Sequence, residues 1–321
     1  MGIEKFTFSR WVRERFEKYD LGSLKTAVHK PWAVRRELNS LGVNLNKLYY
    51  RYVDDSDALD VMAADWDTLV ILDATRYDVF TQTNWLDGDL HRVRSGASHS
   101  IEFVHRNFEG RELHDTVYVT ANPYVRELSE GTFHSVNSLL EAYDTFRAIR
   151  PDKMTEEAIA AHEEFPNKRL VVHYMQPHAP FIGEYGQYLQ SEYLGGKEVA
   201  GARWMEEVVW DPNHPLDVEM VKKAYRENLE IALDEAERLA SNLDGKTVIT
   251  ADHGELFGER TRPIPARLYG HEPFVHYGNL VSVPWFELPT DERREIRADP
   301  PEERDRTTEV TDDQLAALGY L

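Results

Sequence analysis

Four stretches of the chain are apolar almost without interruption and are bounded by acidic or turn residues: "DTLVILDATRYD" (67–78), "DTVYVTANP" (115–123), "RLVVHYMQPHAPF" (169–181) and "KTVITADHGE" (246–255). Short runs of this kind, rich in β-branched residues, predict strands buried on both faces of a parallel sheet. Between them, apolar positions recur at helical spacing in "HSVNSLLEAYDTFRAI" (134–149) and in "VEMVKKAYRENLEIALDEAERLASNL" (218–243). Strand and helix in alternation predict an α/β fold, a doubly wound, mostly parallel sheet with helices on both faces. In such sheets ligands gather at the carboxyl ends of the strands. The polar residues that close the runs are therefore the candidates for chemistry: Asp73, Gln176 to His178, and Asp252 with His253.

Residues 1–64 read as a polar, mainly helical N-terminal extension interrupted at "HKPW" (29–32), and residues 65–321 as the α/β domain. The opening stretch sets Trp11 and Phe16 against Arg10, Arg13 and Arg15. It reads as a helix packed on its own domain, with contact to a membrane surface as the alternative. Neither a signal peptide nor an apolar run of about 18 residues is visible, so the expected location is the cytoplasm. Residues 288–309 read as a surface-crossing segment, and the last twelve residues as a short docked helix or a frayed end. The stretch 183–215, aromatic and glycine-containing, reads as a lid over a substrate or as a packed surface insertion.

Composition narrows the function classes. Hydrophobic residues make up 41% and aromatic residues 11%, enough for a packed core. The 57 acidic against 37 basic residues give a net charge of −20, which disfavours nucleic acid as a partner. The basic residues are 26 Arg and only 11 Lys. An acidic, lysine-poor surface suits a high-salt cytoplasm, and an ordinary acidic cytosolic protein shares the same balance. With no Cys in the chain, any metal must rest on oxygen and nitrogen donors.

The residues at the run ends offer such donors. Asp252 and His253 stand side by side before Gly254, a pairing that suits zinc, manganese or a similar ion, or else a capping Asp beside a surface His. Asp73 closes the first run, where a buried carboxylate requires a cation or a salt bridge to Arg76. "RVRSGASHSIEF" (92–103) is a small-residue turn opening a helix, which places a hydroxyl either for attack on a tetrahedral anion or simply as an N-cap.

These pieces in this order resemble the sulfatase branch of the alkaline phosphatase superfamily, metal-dependent enzymes of phosphate and sulfate esters. The resemblance runs over roughly residues 67–321, through Asp73, "SGASHS", "QPHAPF", "TADHGELFGE", "YGHE", "VPWFEL" and the closing "LAALGYL". It implies that Asp73, Asp252 and His253 ligate one divalent metal ion (Mn, Zn, Ca or Mg). Ser98 is implied as nucleophile and further ligand, with Ser100 the alternative and the better placed of the two to cap the helix. His178 is implied to contact the substrate, and His271 to be a second-metal ligand or a proton donor. Arg76 is implied to meet the anionic ester group, unless it is held in a salt bridge.

The departures from that pattern are equally specific. "Ser98-His99-Ser100-Ile101-Glu102" has neither the Pro nor the Arg of the motif that relatives oxidise to formylglycine. Ala74 stands where sulfatases carry a second Asp, and Gln176 stands where two-metal relatives place ligands. What remains resembles the single-metal phosphotransferases of the superfamily. The expected activity is a metal-dependent hydrolase or transferase acting on a phosphate or sulfate ester, the substrate a small molecule, glycan or lipid. A catalytically degenerate binding or scaffold protein and a sugar-phosphate phosphomutase are the competing readings.

Overall fold

The computed structural model describes residues 31–52, 57–140, 149–194, 209–210 and 216–302. Its central sheet contains β1 (Thr68–Leu72), β2 (Asp89–Arg94), β3 (Leu113–Thr120), β4 (Phe133–Ser138), β5 (Arg169–Tyr174), β6 (Thr247–Thr250) and β9 (Ser282–Glu287), in the order β2-β9-β6-β1-β5-β3-β4. The strands β6, β1, β5, β3 and β4 run parallel, and β9 lies antiparallel between β2 and β6. A separate hairpin joins β7 (Leu256–Arg260) to β8 (Arg267–Gly270). The α/β class and the mostly parallel sheet expected from the sequence are those of the protein.

Alternation along each strand divides the core into two layers. Val70, Leu72, Val172, Tyr174 and Ile249 face one side, where α4 (Pro151–Glu164) and α6 (Val218–Ala240) pack. Leu69, Ile71, Tyr118, Val171 and Val248 face the other, against Phe103 and Val104 of α3 (Ser100–Asn107) and against Trp66. The helix α6 buries Leu229, Ala232, Leu233, Ala236 and Leu239, a stripe at helical spacing that explains its long amphipathic pattern. Asp217 caps it by accepting from the backbone N–H groups of Glu219 and Met220.

Two expectations are corrected. Residues 134–138, read as the start of a helix, belong to the edge strand β4, where "FHSVNS" is buried over its first three residues and partly buried over the last three; residues 141–148 lie outside the described part. β2, β7, β8 and β9 add strands that the apolar runs did not mark. The amphipathic stretch at the N-terminus and the final helix expected after residue 309 both lie outside the described residues. Within residues 1–64, the helix α1 (Pro31–Tyr50) starts at the proline of "HKPW". It is tied to the β7–β8 hairpin by Asn39 on Arg267 and by buried Asn46, which bonds Thr261 and Ile264.

The described part of the C-terminal segment crosses the amino ends of the strands, opposite the edge that carries Asp73 and Asp252. Arg293 binds Asp67 just before β1 (2.8 Å) and Asp65 (2.7 Å), and Asp299 binds Lys168 just before β5 (2.7 Å). Burial pushes the Asp67 carboxyl up, but Arg293 and the N–H groups of Lys246 and Arg294 outweigh it, so the group titrates below its ordinary value of 3.8. A depressed folded value stabilises the protein above the unfolded value, and that gain is lost as pH falls through the folded one. Asp67→Asn is therefore expected to cost about 1 to 2 kcal/mol at pH 7, given the half-exposed position of Arg293. Urea unfolding at pH 7, 5 and 3 should show the gap between wild type and variant constant down to pH 5 and narrowing at pH 3.

Candidate active site

The sheet register sets the site. Ile71 pairs with His173 and with Thr250, and Thr120 pairs with His173, so these four residues form one row across β3, β5, β1 and β6. Two residues further along, and hence on the same face, stand Asn122, Asp73 and Asp252. That face is the one covered by α3, whose first residue is Ser100. Strand period and helix placement together bring Asp73, Asp252, His253, His173, Asn122 and Ser100 to one buried cluster at the carboxyl edge.

Neighbours hold these side chains in place. Asp252 Oδ1 accepts from the backbone N–H groups of Ala74 (3.0 Å) and His253 (2.8 Å), which leaves Oδ2 unbonded. Ala74 reaches that bond in a left-handed conformation (φ 61°), a strained geometry for a residue with a Cβ, and its carbonyl accepts from the Tyr225 hydroxyl at 2.6 Å. His253 directs Nδ1 to the carbonyl of Gly254 at 2.8 Å, so Nδ1 carries the proton and the Nε2 lone pair is available. Glycine is required at 254, because a Cβ there would stand 1.9 Å from the carbonyl oxygen of Asn279.

The Ser100 hydroxyl lies 3.2 Å from Asp73 Oδ2 and 3.2 Å from His253 Nε2. Asn122 donates to the same Asp73 oxygen, and Asp73 Oδ1 is unbonded. His253 Nε2 stands 3.4 Å from Asp252 Oδ2 and 3.8 Å from Asp73 Oδ1. Two fully buried carboxylates with unbonded oxygens, an imidazole lone pair and a hydroxyl fit a divalent ion: atoms bonded at about 2.1 Å to one ion stand roughly 3 to 4 Å apart. Without a cation, two like charges in this position would be strongly unfavourable.

Ser98, expected to be the hydroxyl at the metal, is not brought there. Its Oγ lies 2.9 Å from both Glu102 Oε2 and the Glu272 carbonyl, and accepts from the Val275 N–H at 3.0 Å. Glu102 also accepts from the Ser98 and Phe274 N–H groups and faces His276 Nε2 at 3.1 Å. Two residues on, at the first turn of α3, the chain faces the carboxylates instead. The cap expected of Ser100 is made by His99, whose Nδ1 accepts from the Ile101 N–H. Arg76 likewise lies outside the cluster, held bidentately by Asp78 (2.8 and 2.6 Å) and by Glu259 (2.6 Å).

A histidine group borders the cluster. The His271 ring lies 4.3 Å from that of His253 and 5.0 Å from those of His99 and His178. Its Nδ1 meets Glu255 at 3.3 Å, and donor atoms of His178, Glu255 and His271 lie close enough to share a second ion. Burial opposes charge on His271, but the Glu255 carboxylate outweighs it and raises the imidazolium to about 9. Burial, with neighbouring imidazoles, keeps His99 and His178 below their ordinary value. Glu255 and His173 were missed in the sequence. Glu255 stands inside the Asp-His-Gly-Glu motif and was legible there, whereas His173 stands inside an apolar run, one residue before the end of β5, and reads as core.

No family model matches the chain, and the search of curated proteins returns no match. Among solved structures the chain is similar to the C-terminal periplasmic domain of EptC from Escherichia coli in complex with Zn: 12% identical, covering 73% of this chain and 75% of that one, TM-score 0.47. It is also similar to the phosphonate monoester hydrolase of Agrobacterium radiobacter (13%, covering 68% and 67%, TM-score 0.43). A third is the lipoteichoic acid synthase LtaP from Listeria monocytogenes (11%, covering 73% and 66%, TM-score 0.41). The cytoplasmic location expected from the sequence stands against similar structures that are periplasmic domains. Among the described residues, no helix is long and apolar enough to cross a membrane.

Removing one carboxylate should release the ion and spare the fold, because Asp252 sits at a strand end and its charge is uncompensated without metal. Asp252→Asn is expected to lose most bound divalent metal by elemental analysis while unfolding at a urea concentration no lower than that of metal-free wild type, because it also removes one of the two like charges. Full metal content in the variant would remove Asp252 from the ligand set.

Proposed function

We propose that the protein is a metal-dependent phosphate- or sulfate-ester hydrolase or transferase that works through Ser100. The observation that carries this reading is the Ser100 hydroxyl, buried at the start of α3 and 3.2 Å from both Asp73 Oδ2 and His253 Nε2. Asp73, Asp252 and His253 would hold the ion, which lowers the pKa of a nearby hydroxyl and offsets charge on the ester oxygens.

Ser100 Oγ attacks the phosphorus or sulfur, forming a covalent ester as the bond to the leaving oxygen breaks. Its proton is directed at Asp73 Oδ2. His271, kept protonated at neutral pH by Glu255, supplies a proton to the leaving oxygen from Nε2, the nitrogen that Glu255 does not engage. Water or an acceptor alcohol then displaces Ser100: the proton it gives up returns His271 to the imidazolium, and the proton on Asp73 returns to the Ser100 oxygen. His178, buried beside His271, lines the ester's approach. The substrate class is a phosphate or sulfate ester of a small molecule, glycan or lipid.

A panel of nitrophenyl phosphate, phosphonate, phosphodiester and sulfate esters, assayed with two serine variants, tests the reading. Ser100→Ala is expected to lower turnover by roughly 1,000-fold or more and to abolish covalent labelling. Ser98→Ala is expected to keep turnover within about tenfold and to lose about 1 to 2 kcal/mol of stability, since it unties Glu102, Glu272 and Val275. The opposite ranking would return the nucleophile to Ser98.

A further inference from the structure

His173 sits one residue from the carboxyl end of β5, fully buried among Phe103, Tyr118 and Ile71, where an imidazole has no reason to be if packing were its only role. The two ring nitrogens face opposite ways. Nδ1 lies 2.9 Å from the Tyr118 hydroxyl, and Tyr118 is itself held by Thr120 (3.1 Å), which accepts from the Asn122 N–H (2.9 Å). Burial raises the Tyr118 phenol, so it stays protonated and neutral beside the ring. Nε2 points the other way, up into the row that holds the carboxylates.

There Nε2 has no hydrogen-bond partner, although it is fully buried. It stands 3.7 Å from Asp73 Oδ2 and 3.7 Å from Asp252 Oδ2. That distance is too long for a hydrogen bond to either oxygen. It falls within the roughly 3 to 4 Å that separates two donors sharing one ion. Asp252 Oδ2 is unbonded as well, as is Asp73 Oδ1, and donor atoms of Asp73, His173 and Asp252 lie close enough to share one ion. An orphaned nitrogen and two orphaned oxygens would each be costly alone, and a single ion removes all three penalties.

We infer that His173 Nε2 is a ligand of the same ion held by Asp73 and Asp252, with Tyr118 fixing its ring from behind. The inference rests on the ion-binding reading of that site. With Nε2 as donor atom, Nδ1 carries the proton and gives it to the Tyr118 oxygen, the usual arrangement of a metal-bound histidine and its outer partner. The donor set then contains two imidazoles and two carboxylates beside the Ser100 hydroxyl. Such a set selects zinc, cobalt or manganese and disfavours magnesium and calcium, which prefer oxygen throughout. The four metals open at the level of sequence reduce to the borderline transition ions. The ion is also gripped from beneath by the sheet itself, through a strand residue and not a loop.

The test uses the full chain, stripped with chelator and reloaded with cobalt. X-ray absorption fine structure on the wild-type protein is expected to show scattering from two imidazole rings, and calorimetry to show cobalt bound far more tightly than magnesium. In His173→Gln the count is expected to fall to one ring, with cobalt affinity lowered more than about 100-fold, beyond what loss of an outer partner causes. Tyr118→Phe should keep two rings and lose affinity by about 10- to 100-fold. Wild-type protein with one ring, or His173→Gln with an unchanged count, would overturn the inference and leave the Asp73–Asp252–His253 reading intact. Wild-type protein that binds no stoichiometric metal would overturn both. Because the ring count is taken on wild type, a His173 variant that fails to fold does not remove the test.

Discussion

The structure depends on one electrostatic constraint: Asp73 and Asp252, both fully buried, are set at the ends of adjacent strands on one face of the sheet. Two carboxylates so placed repel each other and are cut off from water, so the arrangement is stable only with positive charge between them. The surrounding residues read as responses to that demand. His253 turns Nε2 inward by giving Nδ1 to a carbonyl, and Ala74 accepts a strained conformation to steady one Asp252 oxygen. The other Asp252 oxygen is thereby left free. Strain at such a point is consistent with chemistry, where backbone geometry is fixed by need and not by comfort.

The same logic extends outward from the cluster. Glu102, on α3, binds the Ser98 turn and the backbone that follows His271, so the serine helix and the histidine loop are fastened to each other through one buried carboxylate. The Gly254 backbone donates to Leu280 while its missing side chain admits the Asn279 carbonyl, which seats the Asp-His pair against the loop before β9. On the far edge, Arg293 and Lys168 strap the chain across the strand starts. These ion pairs and the candidate site thus occupy opposite ends of the same strands, the site at the carboxyl ends where open α/β sheets bind ligands.

Much of this was legible in the sequence, for physical reasons that also explain what was not. β1, β3, β5 and β6 are buried on both faces and announce themselves as apolar runs. β2, with "DLHRVR", and β4, with "FHSVNS", lie at the sheet edges, half wet, and carry no such signal. Asp73, Asp252 and His253 were visible because they break apolar runs at their ends. His173 was hidden because it breaks a run in the middle, where a lone histidine reads as core. The choice between Ser98 and Ser100 lay beyond pattern, since two residues at a helix start turn a side chain from one set of partners to another. His99 took the capping role that had argued for Ser98 as nucleophile.

The central claim is that a single ion joins the two buried carboxylates. Anomalous diffraction from crystals grown with cobalt locates it directly. The account predicts the strongest peak between Asp73 and Asp252, within bonding distance of His253 Nε2 and beside Ser100 Oγ. A strongest peak among His178, Glu255 and His271, with none between the carboxylates, would contradict it.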